Sequence, residues 1–297
     1  DYTLTLNKAS AQHLNSGAVN VVGGDFGVTQ SGTSPSFANS GAIDLASGRT
    51  FTVNGGALNL TGGTVTGGAA TLSLSNVSLT ATLPELRTRV NFNSGSSLTG
   101  ALTIPAADSL VLVGGTLSGP GLDIAGKLSV LATSTIAAPI TKQSGSLLEV
   151  LSSPFGGSIN LTVTNGFDNR GDIDLNAISA AYTTTMTVTN GTLVNTDGSR
   201  IRAVGTVGSR ILNAQLDNRG TLEVGIGLAM SRASSVHLNS GIIDVTGANL
   251  SITQSGTTPS FANSGTINIA SGRTFTISGG TVDLSAGDVV GPDGTLA

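Results

Sequence analysis

Residues 13–60 read HLNSGAVNVVGGDFGVTQSGTSPSFANSGAIDLASGRTFTVNGGALNL, and residues 237–284 read HLNSGIIDVTGANLSITQSGTTPSFANSGTINIASGRTFTISGGTVDL. About 30 of the 48 aligned positions are identical, at an offset of 237 − 13 = 224 residues. A shorter phrase is nested inside: an Asn, one residue, a Gly, then alternating apolar positions, as in Phe37-Ala38-Asn39-Ser40-Gly41-Ala42-Ile43-Asp44-Leu45. Its Asn falls at 15, 39, 169, 218, 239 and 263, with a looser version at Asn195, so neighbouring copies are 24, 26, 23, 21 and 24 residues apart. A unit of that length cannot bury its own apolar face, so copies must stack and share one continuous core. The spacing predicts an all-β fold, a parallel β-solenoid.

Working outward from this stretch, residues 1–297 are expected to form a single solenoid domain, with one long unit over 1–224 and the start of the next copy at 225–297. About 12 to 14 rungs at the ~4.8 Å strand spacing would make an elongated rod roughly 60 Å long. Short strands are expected at Tyr2–Leu6, Asn15–Val22, Phe37–Leu45, Thr50–Val53 and Ala57–Leu60, from their period-two alternation. Gly23-Gly24, Ser31-Gly32, Ser47-Gly48 and Gly55-Gly56 punctuate them, where Gly supplies positive φ. The phrase asparagines are read as corner residues that stack into an amide ladder. Ile, Leu, Val and Phe should point inward, Phe37, Phe261, Ile43 and Leu45 among them, and Thr, Ser, Asn and Asp outward. Pro84-Glu85-Leu86-Arg87-Thr88-Arg89 is the densest charge cluster and opens with a Pro unsuited to a central strand. It is expected to be a protruding, solvated loop.

Composition narrows the function. Gly accounts for 42 residues, about twice the usual ~7% share, but without the Gly-X-Y period of collagen. Charged residues are only 10% of the chain, which with its regular apolar alternation argues against disorder. A net charge of −4, no Trp, eight Phe and two Tyr leave little for nucleic-acid binding. There is no Cys, which removes disulfides, zinc-finger spacing and a cysteine nucleophile. No apolar run approaches the ~18 residues of a spanning helix. Asp1 begins inside a strand-like pattern, so the expected object is a mature or excised part of a longer polypeptide.

The phrase Phe-x-Asn-x-Gly-x-Ile-x-Leu, at Phe37 to Leu45, Phe167 to Leu175 and Phe261 to Ile269, resembles the repeats of filamentous-haemagglutinin-like exoproteins and related autotransporter passengers. That resemblance implies a right-handed β-helix at a Gram-negative cell surface, serving as an extracellular adhesin or a filament of the biofilm matrix.

Little here promises chemistry. His13 and His237 occupy one place in the long repeat and are not a ligand pair. Asp172 and Asp174 share a strand face and could begin a calcium site or the carboxylate cluster of a polysaccharide-cleaving β-helix, but alternate acids on a solvated strand are the plainer reading. Asp168-Asn169-Arg170-Gly171 and Asp217-Asn218-Arg219-Gly220, with Arg200, Arg202 and Arg210, offer either a cationic patch for anionic sugars or Asp to Arg pairs between rungs; the pairs are preferred. Thr-x-Thr elements such as Thr50-Phe51-Thr52, Thr162-Val163-Thr164 and Thr187-Val188-Thr189 resemble an ice-binding face, but their spacing is irregular. The expectation is therefore no enzyme, no catalytic, cofactor-binding or metal residues, and a structural or adhesive role. Expected partners are neighbouring copies end to end or a longer parent chain, with cell-surface or matrix glycans as candidates, and neither nucleic acid nor a membrane span.

Overall fold

A computed structural model describes residues 3–83, 85–178 and 182–297. Among them there is no helix, and the chain is a parallel β-solenoid of about 13 turns. It divides into two compact units, Asp1–Ser129 with Ser134–Ile140, and Val130–Thr133 with Thr141–Ala297.

Each unit contains one copy of the repeat, folded the same way. In the first, Gln12–Asn15, Ala18–Val21 and Phe26–Thr29 pair in parallel with Ser36–Asn39, Ala42–Leu45 and Thr50–Asn54 of the following coil. In the second, Val236–Asn239, Ile242–Val245 and Leu250–Thr253 pair with Ser260–Asn263, Thr266–Ile269 and Thr274–Ser278. Because register puts inward residues over inward residues, period-two alternation becomes one apolar column per strand. Phe37, Phe261, Ile43 and Leu45 all lie in the interior, as the alternation requires. Of the expected first strand, Leu4–Leu6 is a strand; Tyr2 lies outside the described residues.

The asparagines form the expected ladder, but they point inward. Asn39, Asn169, Asn195, Asn218, Asn239 and Asn263 are buried, sharing the parity of the preceding core residue. Each Nδ2 donates to the Oδ1 of the next: Asn15 to Asn39 at 2.7 Å in the first unit, and Asn169 to Asn195, Asn218, Asn239 and Asn263 in the second at 2.8, 2.7, 2.6 and 2.6 Å. The outward expectation fails because each amide meets a partner on the adjacent coil, which removes the desolvation cost of a lone buried amide.

The glycine two residues later has a different reason from the one expected. Gly32, Gly48, Gly55 and Gly56 do adopt positive φ, at 81°, 76°, 80° and 66°. The glycine of the Asn-x-Gly phrase does not; at Gly41, Gly171, Gly220, Gly241 and Gly265 it is needed because the preceding coil's backbone lies where a Cβ would stand, whereas at Gly17 a Cβ would meet nothing within 4 Å. At Gly41 that atom would be 2.0 Å from the Gly17 carbonyl, and at Gly241 2.1 Å from the Gly220 carbonyl. Backbone cannot swing away as a flexible side chain can. Gly241→Ala should therefore cost about 1–3 kcal/mol or more, while Gly227→Ala, where a Cβ meets nothing within 4 Å, should stay within about 0.5 kcal/mol. Equal urea midpoints for the two variants would refute the stacking explanation.

A second expectation is overturned. Of the predicted loop 84–89, Pro84 lies outside the described residues, but Leu86–Phe92 is a strand paired with both Thr64–Ser75 and Ser109–Leu117. Leu86, Thr88, Val90 and Phe92 are buried, and the arginines fall on the other parity. Thr88 is tolerated inside because its Oγ1 donates to the carbonyls of Gly67 and Ala70, both at 3.0 Å. The charges mark an outward face.

Candidate functional site

The carboxylates singled out by sequence lie in the second unit on the strand Asp172–Ala177, which pairs with Arg200–Ala203 so that Asp174 sits opposite Arg202. Arg202 grips Asp174 with two bonds, Nε to Oδ1 at 2.7 Å and Nη2 to Oδ2 at 2.9 Å, and reaches Asp172 Oδ2 at 3.4 Å. Burial pushes the Asp174 carboxyl up, and the Arg202 bond pulls it back part of the way. With both oxygens held by one guanidinium, Asp174 is poorly placed to act as acid, base or nucleophile. Among the described residues no group of three or more His, Cys, Asp and Glu could hold a metal ion.

The fourth member of this cluster is not among the residues the sequence singles out. Lys142 is buried, with Nζ donating to the carbonyl of Ser146 at 2.8 Å and to its hydroxyl at 2.9 Å. It lies under the Gly171 corner, where a Cβ would come within 2.8 Å of Nζ. Burial lowers its pKa to about 8, against the opposing pull of Asp172 and Asp174. An ammonium with bound hydroxyl, carbonyl and nearby carboxylates is a satisfied buried charge.

The arginines part company. Asp168 with Arg170 (3.4 Å) and Asp217 with Arg219 (2.6 Å) pair two residues apart within their own corners; Arg202 makes the expected pair between coils. Arg200 is exposed. Arg210 cannot belong to a cationic patch, because it is fully buried. Its Nε donates to the carbonyls of Leu175 (3.1 Å) and Val204 (2.9 Å), Nη1 to Tyr182 (3.5 Å) and Ser209 (3.2 Å), and Nη2 to Val207 (3.1 Å).

Each histidine belongs to its own unit. His13 is partly exposed, whereas His237 is buried and its Nδ1 accepts the Leu216 N–H at 3.3 Å. Burial first, and the Arg232 charge second, lower the His237 pKa from 6.5 to about 4. Between those values the unfolded chain binds the extra proton, so stability rises with pH and is lost as pH falls from about 6.5 toward 4. The loss should be on the order of 2–3 kcal/mol. His237→Gln should flatten that part of the urea-midpoint profile between pH 7 and 4; an unchanged slope would place the titration elsewhere.

The Thr-x-Thr elements do not align. Thr52 stacks on Ser73, which stacks on Asn91, and the Thr162–Thr187 column ends at Asn213. Family models, curated proteins and solved structures give no match to this chain.

Proposed function

We propose that this chain is a non-catalytic, structural and adhesive stretch of a longer repetitive fibre at a bacterial cell surface or in its extracellular matrix. The observation that carries the reading is the reuse of one coil design in both units, with identical register and the same Asn ladder. Such nearest-neighbour stacking extends indefinitely without a new fold. The repeat phrase and its resemblance to surface exoproteins support the location, and the Arg202 grip on Asp174 weighs against a polysaccharide-cleaving site. Partners on this reading are further coils of the parent chain or end-to-end copies, with surface glycans as ligands.

Electron microscopy of native material should show long thin fibres carrying a ~4.8 Å meridional spacing. A longer repeat of about ten coils, one per 224-residue unit, is expected at roughly 45–50 Å. Compact monodisperse particles of the full-length protein would sink the fibre reading. Depolymerisation of an acidic polysaccharide, abolished by Asp172→Asn with Asp174→Asn, would replace it with the enzyme.

A further inference from the structure

One outward column of the second unit departs from the small polar exterior. Asp217, Leu238, Ala262 and Asp283 lie over one another on four successive coils, in register at each step. At ~4.8 Å per coil the two carboxylates stand about 14 Å apart. Between them runs an apolar floor of Leu238, 45% exposed, and the partly exposed Ala262. With Arg219 and Ser240 these side chains line a groove of about 390 Å³, within the ordinary range for a small-ligand site.

The rim keeps bonding capacity for a ligand. Arg219 gives Nε and Nη2 to Asp217 Oδ2, at 3.0 and 2.6 Å, which leaves Nη1 and the Asp217 Oδ1 free among the described residues. Ser285 donates its N–H and its hydroxyl to Asp283 Oδ1, at 2.9 and 2.7 Å, so Oδ2 stays open. Those same bonds lower the Asp283 pKa and keep the carboxylate ionised at neutral pH. Asp217 and Arg219 cancel, and Asp283 leaves the groove with a net negative charge. A second groove over the glycine corner shares Arg219 and Ser240, so a longer ligand can continue past the first.

We propose that this groove is a subsite for a cationic amino sugar of a surface or matrix glycan, whose ring lies C–H face down on Leu238 and Ala262 while its ammonium meets Asp283. A pyranose presents an apolar face and a polar rim, which matches the aliphatic floor and the carboxylates, guanidinium and hydroxyl at its edges. Complementary charge selects the sugar. A uronate would bring its carboxylate against Asp283, and the cation nearest to it is already held by Asp217. A lysine side chain from a protein partner would satisfy Asp283 but leave Arg219 Nη1 and Asp217 Oδ1 without partners. This assignment rests on the glycan-binding part of the adhesive reading, and the two fail by different results.

Saturation-transfer NMR titrations at about pH 6, where a sugar ammonium, like an α-amino group, is charged, would compare the trisaccharides of glucosamine, N-acetylglucosamine and galacturonate. The glucosamine trisaccharide should bind about three- to fivefold more tightly than its N-acetylated form, and galacturonate most weakly. Asp283→Asn should erase the preference. Leu238→Ser, checked by urea midpoint to be folded, should weaken the glucosamine and N-acetylglucosamine forms alike, about three- to tenfold, by removing the floor. Equal affinity for all three, a preference that survives Asp283→Asn, or undiminished binding by Leu238→Ser would overturn the amino-sugar assignment and leave glycan binding standing. Trilysine binding as tightly as the glucosamine trisaccharide would overturn it too, since the groove would then read charge and not a sugar ring. No binding of any trisaccharide would overturn the assignment together with the glycan-binding reading.

Discussion

Arg210→Met should cost the second unit about 3–5 kcal/mol, close to the loss on breaking a buried ionic contact. Burying a guanidinium is itself unfavourable, and desolvation lowers its pKa; exchange for an apolar side chain could on that ground be neutral. What decides the sign is the partner set. Arg210 faces no carboxylate among its bonded partners, only the carbonyls of Leu175, Tyr182, Val204, Val207 and Ser209. Those stay polar and enclosed after the substitution, and each buried acceptor left without a donor costs about 1–3 kcal/mol. Arg210→Lys should recover only part of the loss, because one ammonium cannot reach acceptors set around a planar fork. Arg202→Met should cost about 1–3 kcal/mol, since it strips both bonds from an Asp174 carboxylate whose side chain is only 12% exposed. Native-state hydrogen exchange would separate these outcomes: a loss below about 1 kcal/mol for Arg210→Met would mean that water enters and serves the carbonyls.

Much of this was legible because a solenoid writes its inside and outside at period two. Phe37, Ile43 and Leu45 follow from alternation alone, and the amide ladder follows from the recurring Asn. What misled was residue chemistry taken without parity. Charge made 84–89 look like a loop, although Leu86, Thr88, Val90 and Phe92 keep a clean inward rhythm. Arg210 reads as a surface arginine because Arg is rarely buried, yet it shares the parity of Leu212, Ala214, Leu216 and Asn218. Lys142 could have been found by aligning Lys142-Gln143-Ser144-Gly145-Ser146 with Asn195-Thr196-Asp197-Gly198-Ser199, which puts it in the ladder's own position. The reason for Gly in the Asn-x-Gly phrase was not legible at all. Close approach between coils is a property of the stack, and φ preference, the only local clue, pointed elsewhere.

Phe37→Ala should cost about 3–5 kcal/mol, and the stack explains why the upper half of that range is expected. Phe37 is 2% exposed and meets two rings edge-on, Phe26 with centroids 6.2 Å apart and Phe51 at 5.7 Å, while Phe26 and Phe51 stack on each other at 4.9 Å. In a globular core, neighbours partly collapse into the space left by a truncated side chain. Here the coils on both sides are pinned: His13 and Leu58 flank Phe37 in register, and their separation is set by backbone hydrogen bonds that inward movement would break. A cavity that cannot close keeps its full cost. The second copy supplies an internal control, because Phe261 keeps the Phe275 ring at 5.7 Å but has Leu250 where the first copy has Phe26. Aromatic pairs contribute about 0.5–1.5 kcal/mol beyond the area they bury, so Phe261→Ala should be the milder change by roughly that amount. Urea unfolding of each variant should show that order, and a loss below about 1 kcal/mol at Phe37 would place its side chain in solvent and invert the parity of the whole coil.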